Sequence, residues 1–181
     1  VRLGPTLDID QFPEAERSAL RLDGECLPLG LTVVPVDVPV SPAVRAASLL
    51  SAVARYDLVV DLLTAAWVHG AVAVLPRPLT LAIDVERSRR TKLLSPAPRQ
   101  AHFREDDLRR LGGAVVTAPL KTAFDLLRLD EGEHEDIDRV ASTLLRTAGV
   151  TPAIAAALAQ LQPGCPRKQR GIDRLAALRH V

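Results

Sequence analysis

The chain has 181 residues, which suits one domain with a small appendage and falls short of two full-sized domains. Hydrophobic residues make up 48% and charged residues 25%, enough to build a core and far from the composition of a disordered chain. With 23 Lys and Arg against 22 Asp and Glu, the formal charge of +1 excludes a whole-molecule attraction to polyanions, so any such partner is met by a local patch.

Aromatic residues are scarce (Phe12, Tyr56, Trp67, Phe103, Phe124) and Met is absent, so Leu, Val and Ala fill the interior. Cys26 and Cys165 are too few for a disulfide framework or a four-cysteine zinc site, and a reducing, cytoplasmic compartment is expected. The opening Val1-Arg2-Leu3-Gly4-Pro5 lacks the apolar run of a signal peptide. The most apolar region, 58–83, is interrupted by Asp61, His69, Pro76, Arg77 and Pro78, leaving no clean stretch of roughly 20 residues for a bilayer. No membrane association is expected.

In chain order, 13–20 suits a short helix with Pro13 at its first position and carboxylates in its first turn. Two β-prone runs, 25–29 and 31–36, flank Gly30 as a hairpin. Residues 1–40 thus read as a short helix-hairpin segment, too small for its own core, and 41–181 as the main domain. Ser41 caps a helix that opens at Pro42, with Val44, Ala47, Leu50 and Ala54 at helical spacing. The run 58–60 is too short to be assigned to strand or helix by period. Residues 64–69 read as a helix that Thr64 caps, that buries Trp67 and that stops at Gly70. Residues 79–85 alternate as a strand and 100–104 as another; 105–111, acids first and arginines last, reads as a helical turn broken by Gly112-Gly113. A strand at 114–117 leads into a helix from Pro119 through Leu127, on which Lys121 and Asp125 are spaced to pair while Leu120, Phe124 and Leu127 face the core. Helices at 135–148, 152–161 and 172–178 finish the chain. The expected class is α/β or α+β: a small mixed sheet packed by helices, with a helical C-terminal part.

Chemistry-bearing patterns are few. There is no Gly-x-Ser-x-Gly elbow and no Walker loop, neither cysteine has a catalytic context, and the four histidines never stand at metal-ligand spacing. No cofactor or metal is expected. One enzymatic constellation stands out: His69-Gly70, then a strand bearing Asp84 and Glu86, two apart and hence on one face, as nucleotidyltransferases place paired carboxylates on magnesium ions about 4 Å apart. It lacks the serine of the turn and a third carboxylate. Two basic clusters carry a different chemistry: Arg87, Arg89, Arg90 and Lys92 in a polar connection, and Arg167, Lys168 and Arg170 ahead of Gly171 and the last helix. Such clusters neutralise phosphates and release counterions, giving salt-sensitive, sequence-independent affinity. An acidic run, 130–138, reads as a solvated connection that feeds carboxylates into the next helix, or as a nucleic-acid mimic or a dock for a basic protein.

Thr64-Ala65-Ala66-Trp67-Val68-His69-Gly70, followed by the stretch from Gly112-Gly113 through Thr117, Pro119, Lys121, Thr122 and Asp125 to Leu126, resembles the AbiEi-like antitoxin and viral-defence regulator family of actinobacterial type IV toxin-antitoxin systems. Arg170-Gly171-Ile172-Asp173-Arg174-Leu175 is similar to that family's terminal helix, and the likeness spans roughly Ser41 to Leu178. It implies a non-enzymatic DNA-binding autorepressor beside a nucleotidyltransferase-like toxin gene, usually with an N-terminal winged helix-turn-helix. Here residues 1–40 supply only one helix and a wing-like hairpin, a reduced remnant without an identifiable recognition helix. Lys121 stands where the family usually has arginine, exchanging a planar fork for a point charge.

Three functional readings follow. The first is an antitoxin-like regulator that contacts DNA through the basic clusters and pairs with a nucleotidyltransferase-like toxin. The second is a protein-interaction module without DNA binding, in which a homo-oligomer is one partner to consider. The third is a nucleotidyltransferase-like enzyme using Asp84 and Glu86.

Overall fold

The computed structural model describes residues 22–85, 98–129, 135–161 and 164–178, together with Pro13, Ala15, Glu16 and Ala19. Within the expected helix 13–20 the described Ala15, Glu16 and Ala19 are helical, and its other residues except Pro13, the cluster Arg87, Arg89, Arg90 and Lys92, Glu86 and most of the acidic run lie outside the described residues.

β1 (Cys26–Leu29) and β2 (Thr32–Pro35) form the expected hairpin around Gly30, whose φ of +61° is the left-handed conformation that glycine adopts cheaply. The hairpin leans on the main domain: Leu31 N–H donates to the Ser48 carbonyl at 3.3 Å, and a side chain on Gly30 would collide with Ser48. Ser41 caps α1 (Pro42–Ala47), its hydroxyl accepting from Val44 N–H at 3.3 Å. The single helix expected here is broken after Ala47, continuing as α2 (Leu50–Val53) and a 3-10 turn over Ala54–Tyr56.

A five-stranded mixed sheet follows. It is built from β3 (Val59–Val60), β4 (Leu81–Asp84), β5 (Arg99–Ala101), β6 (Leu108–Leu111) and β7 (Ala114–Thr117), in the order β5-β4-β3-β7-β6. β3 lies at its centre, antiparallel to β4 and parallel to β7, with Val59 opposite Ala82 and Val115 and Val60 opposite Leu81 and Val116. The ambiguous run 58–60 is therefore the central strand. Alternation along the strands divides the core: Val60, Ile83 and Val116 pack with Leu49, Val53 and Trp67 on one face, while Val59, Ala82 and Phe103 form a smaller cluster on the other.

The expected helical turn at 105–111 is corrected. Residues Glu105–Asp107 form a 3-10 turn, but Leu108–Leu111 is the edge strand β6, paired antiparallel with β7. Gly112 and Gly113, both at positive φ, close the two-residue hairpin. Their turn geometry and the pairing of β7 override a charge order that matches a helix dipole equally well.

The remaining helices flank and follow the sheet: α3 (Leu62–Val68) precedes β4, and α4 (Pro119–Leu129), α5 (Glu135–Ala148), α6 (Pro152–Gln160) and α7 (Lys168–Ala177) come after β7. α7 starts four residues earlier than its apolar period predicts. α5 presents Ile137, Val140, Ala141, Leu144 and Leu145, a stripe at helical spacing, to a core shared with Phe124 and Leu127 of α4. Covered by α3, α5 and α7, α4 has every residue from Lys121 to Arg128 buried. No single helix among the described residues is long and apolar enough to cross a membrane.

The approach of α7 to α4 sets a packing constraint. A Cβ on Gly171 would stand 2.7 Å from Phe124 Cε2 and 2.9 Å from Arg128 Cβ. Gly171→Ala is expected to lower stability by about 1–3 kcal/mol through overpacking, read as a fall in the urea midpoint at unchanged m-value. An unchanged midpoint would contradict this close approach.

Candidate functional site

Burying Lys121, Thr122, Asp125 and Arg128 inside a helix obliges each to find a partner, since an unpaired charge in the interior costs several kcal/mol, on the order of the whole fold's stability. The sequence-predicted pair forms, with Lys121 Nζ donating to Asp125 Oδ1 at 2.9 Å. Arg128 Nε donates to the same oxygen at 2.8 Å, and Arg99 Nη2, arriving from β5, donates to Asp125 Oδ2 at 3.1 Å. Asp125 itself is wholly buried. Burial works to raise its pKa, but Lys121, Arg128 and Arg99 together hold the carboxyl below the ordinary aspartate range.

Arg99 also grips Asp61, with Nε 2.9 Å from Oδ2 and Nη2 on the same oxygen. Burial resists the Arg99 charge, yet the two carboxylates outweigh it and raise the guanidinium pKa. Asp61 goes the other way. Burial pushes its carboxyl above the usual range, opposed by Arg99 and reinforced by the nearby Asp125. Asp61 is also the N-cap of α3, its Oδ1 accepting from Leu62 N–H at 2.8 Å. Leu62 sits at φ +47°, a left-handed conformation costing a side-chain-bearing residue about 1–2 kcal/mol, and the Asp61 cap anchored by Arg99 holds it there.

Thr64, expected as the cap, instead lies inside α3 and locks the approach to β4. Thr64 N–H donates to Thr80 Oγ1 at 2.9 Å, Thr80 N–H donates to Thr64 Oγ1 at 2.8 Å, and Thr80 Oγ1 donates to the Asp61 carbonyl at 2.6 Å. Trp67 is buried under Arg45, whose guanidinium carbon is 5.0 Å from the ring centroid and whose Nη1 donates to the Trp67 carbonyl at 3.0 Å. His69 closes α3 ahead of Gly70, which takes the expected left-handed conformation at φ +80°. His69 Nε2 reaches the Thr117 carbonyl at 2.7 Å, and the Thr117 and Thr122 hydroxyls meet at 2.8 Å. Because a carbonyl only accepts, His69 carries its proton on Nε2. Burial lowers its pKa, the bond to Thr117 opposing, so the ring is neutral near pH 7.

Of the residues singled out by motif, His69, Thr117, Thr122, Lys121 and Asp125 converge around the N-terminal half of α4, joined by Asp61, Arg99 and Arg128, whereas Thr64 bonds to Thr80 and Trp67 packs under Arg45. Asp61 and Arg128 have local signals, as a cap one residue ahead of a helix and as a cation three residues after Asp125; Arg99 has none. Asp84 is on β4 and buried, whereas Glu86, the other half of the expected carboxylate pair, lies outside the described residues. No group of three or more His, Cys, Asp or Glu side chains among the described residues is arranged to hold a metal ion.

The second basic cluster is divided. Lys168 Nζ donates to the Gln160 carbonyl at 2.8 Å, tying α7 to the end of α6, while Arg167 and Arg170 are exposed. Arg109 and Arg110, which sequence reasoning placed on a helical turn, are exposed on edge strand β6. Beside the cluster opens a cleft of about 900 Å³ lined by Arg99, Phe103, Arg104, Lys121, Arg128 and Pro166 among others. Compared with family models, curated proteins and solved structures, the chain matches none.

Removing Asp125 leaves three cations without their shared carboxylate. Asp125→Asn is expected to cost about 3–5 kcal/mol in urea unfolding, with part of the loss recovered when Lys121→Met is added; a loss below about 1 kcal/mol would contradict the cluster's role. The pH dependence of His69 has a defined sign. The unfolded side chain titrates near 6.5 and the folded one lower, so on acidification the unfolded chain takes up its proton first. The stability from burying neutral His69 is complete above about pH 6.5 and is lost as pH falls through the folded value. His69→Gln, which keeps an N–H for Thr117, is expected to show a smaller drop in Tm than the natural chain between about pH 7.5 and 5.5. Equal drops would contradict the assignment.

Proposed function

We propose that the chain is a non-enzymatic, cytoplasmic regulatory protein of the AbiEi-like antitoxin class that it resembles, meeting DNA through surface arginines and acting beside a nucleotidyltransferase-like toxin. The observation that carries the reading is a contrast between two sets of its cations. Arg99, Lys121 and Arg128 are spent on buried carboxylates, whereas Arg109, Arg110 and Arg170 are exposed and engage in no ion pair among the described residues. Exposed guanidinium groups unencumbered by carboxylates are suited to phosphate contacts that position a protein on a duplex without reading its sequence. The motif residues support the non-enzymatic side of the reading: Thr64, His69, Thr117, Thr122, Lys121 and Asp125 bond to one another or to backbone, as groups that hold a fold do.

A second reading, a protein-interaction module without DNA affinity, draws on α6, where Ile154, Leu158 and Leu161 expose 53%, 41% and 80% of their surfaces along one side of the helix end.

Fluorescence anisotropy against duplex DNA over a salt series separates the two. Neutralising Arg87, Arg89, Arg90 and Lys92 together is expected to weaken binding at every sequence and to flatten the salt dependence by about 0.9 in log K per log salt for each phosphate that is no longer neutralised. Absence of DNA binding at low salt would overturn the leading reading.

A further inference from the structure

The inner charge cluster does not balance. Arg99, Lys121 and Arg128 face two carboxylates, Asp61 and Asp125, and all three cations line the cleft of about 900 Å³. The bonds formed within the described residues use Arg99 Nε and Nη2, Arg128 Nε and Nη1, and one bond from Lys121 Nζ. That leaves Arg99 Nη1, Arg128 Nη2 and the rest of the Lys121 ammonium as donors without a bond among the described residues, on side chains that line the cleft. Lys121 and Arg128 are 8% and 5% exposed, so these donors stand in a poorly hydrated wall where a charge-assisted bond is stronger than at the surface.

Beyond the three cations, the cleft carries charges of both signs in its lining. Arg104 lines it, and Asp107, which also lines it, turns a carboxylate oxygen back onto Arg104 N–H at 2.9 Å. The opposing charge comes from Asp107 and from Glu105, exposed at the rim. It disfavours a long polyphosphate and is compatible with a single phosphate seated deep against the cations. Phe103, Leu129 and Pro166 provide apolar wall, and the volume falls within the roughly 300–1,000 Å³ of small-molecule sites, several times what a bare phosphate fills.

We propose that this cleft binds the phosphate of a nucleotide-sized phosphomonoester, held by Arg99, Lys121 and Arg128. The bound phosphate supplies the negative charge that the buried cluster lacks. The proposal is independent of the DNA reading, because Arg109, Arg110 and Arg170 are absent from the cleft wall.

The test is a titration of the full chain, labelled with 15N at arginine, with adenosine monophosphate in phosphate-free buffer, following the arginine Nε–H resonances. Adenosine, inorganic phosphate and a DNA duplex are run as parallel arms. Saturable shifts of Arg99 and Arg128 with adenosine monophosphate, competed by inorganic phosphate and absent with adenosine, are expected, while Arg109 and Arg170 stay in place. Arg104→Gln, which leaves the buried ion pairs intact, is expected to weaken this binding at least threefold. Three outcomes would overturn the proposal: no saturable shift, equal shifts at Arg109 and Arg170, or an equal response to adenosine, which would mean that the phosphate is not what the cleft recognises. Movement of the cleft arginines with the duplex alone would overturn it too.

Discussion

Asp125 has no contact with solvent, and three cations from two elements reach it: Lys121 and Arg128 from its own helix and Arg99 from the edge strand β5. Much of the architecture follows from satisfying that one carboxylate. α4 enters directly from β7, so the same helix that carries Asp125 also fixes Thr122 against Thr117, and through the Thr117 carbonyl it fixes His69 at the end of α3. Arg99 then ties Asp125 to Asp61, the cap of α3, so that both ends of α3 are fastened to the β7–α4 junction by polar bonds. Arg128 extends the chain of contacts to the Pro166 carbonyl at 2.9 Å, fixing the segment that leads into α7. In a core with little aromatic bulk, this network supplies directional constraints that Leu, Val and Ala packing alone does not.

The parts of this arrangement that were legible in the sequence are those with local causes. Ser41 ahead of Pro42, Gly70 after the apolar end of α3, and the four-residue spacing of Lys121 and Asp125 each act within one or two turns, and each is found where the pattern puts it. The α5 stripe was equally plain. What escaped depends on distant partners. Arg99 looks like any polar residue of a basic connection until β5 pairs with β4 and brings it 38 positions back to Asp61. Thr64 reads as a cap because threonine favours that place, but Asp61 takes it, and Thr64 is used by Thr80, which β4 delivers. Residues 108–111 carry no strong strand signal of their own; the glycine turn and the partner strand make them β6.

The functional consequence is a division of labour among the basic residues. Those drawn inside, Arg99, Lys121 and Arg128, pair with Asp61 and Asp125 and line a cleft. Those left outside, Arg109 and Arg110 on β6 and Arg170 on α7, are exposed. β5, which carries Arg99 to the cleft, and β6, which carries Arg109 and Arg110, are the opposite edges of the sheet. The buried charges and the close approach at Gly171 bring the α3, β7–α4 and α7 segments together.

The most direct test of this account is the titration of the Asp125 side-chain carboxyl carbon by NMR in the intact chain. The structure predicts that it stays ionised as pH falls past 3.8, the ordinary aspartate value, and takes a proton only further into acid or as the fold is lost. A carboxyl that titrates at or above that value while the chain remains folded would contradict the claim that three cations converge on it.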